Sequence, residues 1–140
     1  MKGFKLTFLL IATLMGQPLW ADLAVVVGKD ALVDNVSTED LRRLFKGQIR
    51  ALDGTRVALL DMPEGSSIRD DFYYRLLHKH AAQMRSFRAR MIFTGKGAPP
   101  RAVSGLSEMK VLLRAGDKVY IGYMDSSQVT PDLRVLMTFP

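Results

Sequence analysis

Apolar positions along this 140-residue chain fall into three patterns. The first is a charge-free run, Leu6 to Met15, preceded by Lys2 and Lys5 and broken by Gly16, Gln17 and Pro18. The second is a set of short, continuous, Val-rich or Ile-rich runs: Leu23–Val27, Arg56–Leu60, Val119–Tyr123 and Leu133–Met137. Such runs predict buried strands. The third pattern has helical spacing. Ser37 caps a helix that carries Leu41, Leu44 and Phe45 on one side, with Gly47 placed to end it. Ser66 or Ser67 opens a second helix, with Ile68, Phe72 and Leu76 four residues apart. A third helix spans 81–93 on Met84, Phe87 and Met91, and a fourth spans Leu106–Arg114. Asp53-Gly54 marks a turn, and residues 94–100 (TGKGAPP) read as a loop. Strands alternate with helices, so the expected class is α/β, with a largely parallel sheet.

The amino-terminal run is too short to span a bilayer comfortably. With its leading lysines and the sequence Leu19-Trp20-Ala21 before Asp22, it reads as a secretory signal peptide over residues 1–21. The expected mature chain is a single domain, 22–140, exported to the periplasm. No Cys is present to carry a lipid, a disulfide or a thiolate-bound metal, and no stable membrane anchor is expected. Apolar residues make up 48% of the chain, enough for a folded core rather than a disordered segment. Lys2 and Lys5 leave with the signal segment, so 18 basic side chains face 14 acidic ones, a balance of +4. That favours anionic partners without naming one.

The stretch 63–72 (PEGSSIRDDF) joins a strand to a helix start. A Gly turn there leaves backbone N–H groups open at the helix N-terminus, where an anion is attracted. Ser66 and Ser67 offer hydroxyls, and Arg69 a charge. On these residues alone, simple helix capping by Ser66 is the commoner role for such a serine. His78 and His80 suit a solvated helix end better than a metal, since residues two apart on a helix diverge. Arg85, Arg88, Arg90, Lys96 and Arg101, with Phe87 and Phe93 among them, form a basic stretch. Phe87 falls on the apolar face, so solvated arginines rather than a nucleic-acid surface are expected, with a membrane-surface or polyanion contact a lesser reading. Ser66 and Ser67 lack a G-x-S-x-G frame, and no catalytic constellation stands out. A binding protein rather than an enzyme is expected, with no cofactor and no metal.

Four stretches in register, 36–57 (VSTEDLRRLFKGQIRALDGTRV), 63–72, 88–100 (RARMIFTGKGAPP) and 119–129 (VYIGYMDSSQV), resemble the periplasmic phosphate-binding proteins of ABC transporters. The match is closest to a short, substrate-binding-like subgroup. The resemblance implies a single three-layer α/β domain like one lobe, mainly the second, of a type-II periplasmic-binding protein. It implies phosphate or another small oxyanion as ligand, held by Gly65, Ser66 and Ser67 with Arg69 assisting. It also implies association with a transporter or envelope protein. The alternative is a solitary lobe that docks on an envelope partner without a small-molecule ligand. The family commonly reads E-G-S-G-T-R-D-x-F at the turn, often with an Arg two residues before the Glu. Here Ser67 stands for the Gly, Ile68 for the Thr and Met62 for the Arg, so one hydroxyl and one bidentate cation are absent.

Overall fold

The computed structural model describes residues 22–140. The expected signal peptide lies outside the described residues. The elements run β1 (Leu23–Gly28), α1 (Thr38–Phe45), β2 (Ala51–Leu52), β3 (Thr55–Asp61), α2 (Ser67–Leu77), α3 (Ala81–Phe93), β4 (Arg101–Ala102), α4 (Leu106–Arg114), β5 (Val119–Asp125) and β6 (Leu133–Phe139). A single 3-10 turn, Ser126–Gln128, joins β5 to the β6 approach. Among the described residues no helix is long and apolar enough to cross a membrane.

Local signals set the helix ends. The Ser37 hydroxyl oxygen accepts from the Asp40 N–H at 3.0 Å and opens α1. Gly47, at φ +74°, follows its last residues in the left-handed region that glycine tolerates. Between α2 and α3, His78 takes the left-handed conformation, and the His80 N–H donates to Gln83 Oε1 at 2.8 Å. The two histidines therefore form the α2–α3 corner. Asp53 and Gly54, both at positive φ, close the β2–β3 hairpin.

The sheet order is β2-β3-β5-β1-β6, with β4 beside the far end of β3. It is mixed rather than largely parallel. β3 pairs parallel with β4 and β5, but β1 is antiparallel to both its neighbours, β5 and β6. The Val-rich run of β1 reports burial on both faces, which a central strand needs whatever its direction. Leu23 to Val27 are all at most 2% exposed.

Two adjacent residues of β5 show the three layers. At Gly122, an added Cβ would press on Met109 Sδ, so α4 covers that face. Tyr123 points the other way and stacks on Phe72 of α2, with ring centroids 3.8 Å apart. Phe45 of α1 meets Phe72 edge-on at 5.0 Å, which adds α1 to the α2 side. Nearly all buried apolar residues form one contiguous cluster, drawn from β1, β2, β3, β5, β6 and all four helices.

Candidate functional site

β3 ends in Asp61, and everything around the following turn is organised by that carboxylate. Asp61 is 1% exposed. Its two oxygens accept from the Tyr73 hydroxyl at 2.5 Å and from the Tyr123 hydroxyl, and Arg69 Nε stands 3.7 Å away. The Tyr123 oxygen in turn accepts from the Met62 N–H at 3.1 Å. Behind Tyr73, Arg88 donates to its oxygen at 2.9 Å and packs over its ring. Burial first, and then the neighbouring Asp61 charge, push both tyrosyl pKa values upward. Both hydroxyls therefore stay protonated and remain donors. A charge taken out of water needs such partners, and of this set only Arg88 Nε is buried with no partner among the described residues. The set ties β3, β5, α2 and α3 together at the exit of one strand.

The turn that leaves this anchor carries the residues read from sequence. Gly65 has φ +85° and open space where a Cβ would stand. Replacing it with Ala should therefore cost only the left-handed strain, about 1 kcal/mol, measured as a shift in the urea midpoint at unchanged slope. Ser66 is the N-cap of α2 with extended backbone, as expected, yet its hydroxyl does not cap the helix. It donates instead to the Pro63 carbonyl at 2.6 Å and closes the turn. The first intrahelical bond runs from the Asp70 N–H to the Ser66 carbonyl at 3.2 Å. The N–H groups of Ser67, Ile68 and Arg69 are left with no protein acceptor among the described residues. Ser67 is exposed at the outer edge of this row.

Arg69 lies beneath the turn rather than in front of it. Besides its pairing with Asp61, its NH1 donates to the Met62 carbonyl at 3.1 Å, and its guanidinium lies over the Tyr73 ring. The structure therefore brings Gly65, Ser66, Ser67 and Arg69 together, with Arg69 largely occupied in holding the turn. Met62 is buried in the core and presents nothing to solvent here. A recess of about 20 Å³ lies between the turn and α3, lined by Glu64, Arg69, Asp70, Tyr73, Met84 and Arg85, among others. That volume suits roughly one water, so an anion at this helix end would rest on the surface of the turn. The carboxylates of Glu64 and Asp70 stand beside it.

The chain matches no protein-family model and no curated protein. Among solved structures it is similar to an ABC-type phosphate transport receptor from Vibrio cholerae, at TM-score 0.62 and 20% identity over 84% of this chain and 46% of that one. It is also similar to a protein from Clostridium perfringens described as a phosphate ABC transporter substrate-binding protein with bound phosphate. That match has TM-score 0.63 and 17% identity, over 83% and 45% of the two chains. The fold is that of one lobe of a type-II periplasmic-binding protein. The chain spans about half the length of these phosphate-transport proteins, in keeping with the single-lobe architecture read from its sequence.

The buried anchor of this lobe, Asp61 with Tyr73, Tyr123 and Arg88, was not singled out from sequence. Signals for it existed. Asp61 directly abuts an apolar strand, and Arg88 falls at the i+4 position of the Met84–Met91 stripe. Arg88, expected to be solvated, is 7% exposed and bonded to Tyr73.

Proposed function

We propose that this lobe binds an inorganic oxyanion of the phosphate type at the start of α2, as a non-enzymatic solute-binding component of a periplasmic, ABC-type uptake system. The observation that carries the reading is the row of open N–H groups at Ser67, Ile68 and Arg69, set at the N-terminus of an 11-residue helix. Those groups and the helix dipole favour a negative ligand. Gly65 lets the chain approach closely, Ser66 holds the turn, Ser67 adds an exposed hydroxyl, and Arg69 adds positive potential from below. The fold supports the reading, since both phosphate-transport proteins described above share it.

The affinity should be modest. Arg69 is shared with Asp61, Met62 replaces a cation with a buried thioether, and two carboxylates flank the turn. A dissociation constant of roughly millimolar, about −4 kcal/mol, is the expected scale. The deciding experiment is a calorimetric titration of residues 22–140 with phosphate and with sulfate, repeated on Ser67→Pro. Ser67 is the first helical residue and Ser66 has ψ 140°, so proline fits the backbone there. The substitution deletes one open N–H and one hydroxyl while leaving the helix intact. Binding should fall at least about tenfold, the loss of one charge-assisted hydrogen bond, with thermal stability nearly unchanged. Undiminished binding by Ser67→Pro would remove the site from this turn. No heat with either anion at concentrations well above millimolar would sink the reading itself.

A further inference from the structure

The basic, aromatic stretch of α3 and its following loop divides into parts with different fates. Arg88 is buried on Tyr73, and Arg101 pairs with Glu108 at 3.6 Å. Arg90 and Lys96 do neither. Together with Lys46 from the end of α1 they surround a recess of about 510 Å³ whose apolar floor is Phe87 and Met91. No acidic side chain lines this recess, and none of the three cations joins an ion pair among the described residues. The recess is shaped by the backbone: Gly47 sits against Met91, with 3.1 Å between its added-Cβ position and Met91 Cε, and the Lys96 N–H donates to the Met91 carbonyl at 3.2 Å.

The last two residues of α3 are Ile92, 61% exposed, and Phe93, 93% exposed. Phe93 is the most exposed of the large apolar side chains described. Phe93, three residues from Arg90 on α3, is the large apolar group next to these cations, whereas Ile92 lies on the flank of the helix away from Phe87, Arg90, Met91 and Thr94, which line the recess. Phe93 projects outward instead of lining the recess, so a surface that covers it must yield around it.

We propose that this end of the molecule is a peripheral contact for an anionic phospholipid surface. Headgroup phosphates lie among Lys46, Arg90 and Lys96, while Phe93 enters the boundary between headgroups and acyl chains. Charge complementarity and the projecting Phe93 select this occupant. A rigid acidic protein would need a matching cavity for that side chain.

The test uses residues 22–140, whose buried residues form the core cluster described above, so that segment 1–21 makes no lipid contact of its own. Trp20, the single tryptophan, lies outside that range, so Phe93→Trp introduces one reporter. Its emission should shift to the blue with phosphatidylcholine vesicles containing phosphatidylglycerol and stay unshifted with phosphatidylcholine alone. In co-sedimentation, the unaltered protein should partition onto the anionic vesicles and be released by added salt. Lys46→Gln and Lys96→Gln should each weaken partitioning about fivefold, and Phe93→Ser about tenfold. All three positions are at the surface, and circular dichroism verifies that the fold is kept. Equal partitioning onto neutral and anionic vesicles, an unshifted reporter, or variants that bind like the unaltered protein would each overturn the proposal. Displacement from vesicles by millimolar inorganic phosphate would also overturn it, by making the recess a free-phosphate site.

Discussion

Replacing Asp61 with Ala should destabilise the protein by about 3–5 kcal/mol, the cost of breaking a buried ion pair from one side. The carboxylate is the common acceptor for Tyr73 and Tyr123 and the counter-charge for Arg69. Without it, two buried hydroxyls lose their acceptor, and Arg69 is left partly desolvated beside an apolar wall. Such a loss is a large share of the roughly 5–15 kcal/mol that holds a domain of this size. Urea denaturation followed by circular dichroism measures it. Tyr123→Phe should cost about 1.5–3 kcal/mol, because its hydroxyl bonds a charged group. The double variant should cost less than the sum of the two, because both substitutions remove the same bond. A loss below about 1 kcal/mol for Asp61→Ala would mean that water replaces the anchor, and the description of this network would be wrong. The anchor also positions the α2 N-terminus. Tyr73→Phe should therefore weaken oxyanion binding without touching any group that faces the ligand.

The second large effect is expected at Gly28, the last residue of β1. A Cβ there would stand 2.5 Å from the Leu113 carbonyl oxygen, in the last turn of α4. That oxygen is backbone, so it retreats only if the helix lifts from the sheet or β1 shifts away from β5 and β6. Gly28→Ala should cost about 3 kcal/mol, the upper part of the range for overpacking. Gly122→Ala is the matched control. Its Cβ would press as closely on Met109 Sδ, but a thioether in a flexible side chain turns aside more cheaply. Thermal or urea midpoints of the two variants decide the point. If Gly28→Ala is no worse than Gly122→Ala, close backbone approach is not what Gly28 supplies.

Much of the fold is legible in the sequence because its signals are local. Ser37 caps α1 through its own side chain, Ile68–Phe72–Leu76 marks the inner face of α2, and α3 and α4 keep the bounds that their periodicity predicts. The short pairings β2 and β4 escape notice, since two residues hold too little pattern to stand out from a loop. The four residues of the candidate site are likewise adjacent in the chain, which is why they could be named together. Their roles are less legible. Whether the Ser66 hydroxyl caps the helix or bonds Pro63 depends on a turn geometry that no residue type specifies.

The sequence by itself determined where chain segments bury and where they turn, because periodicity, capping and glycine placement act over a few residues. It determined the alternation of strand and helix and the junction at Gly65 to Arg69. Only the tertiary structure decided strand direction, since a run such as Leu23–Val27 is equally apolar whichever way its neighbours run. It also decided the assignment of the arginines. Arg88 and Arg90 are two residues apart, yet one is buried on Tyr73 and the other stands in solvent beside Lys96. Asp61 and Tyr123 are 62 residues apart and meet only when β3 and β5 lie side by side. Burial of a charge depends on partners that arrive from distant segments, and that information is not carried by any one stretch of chain.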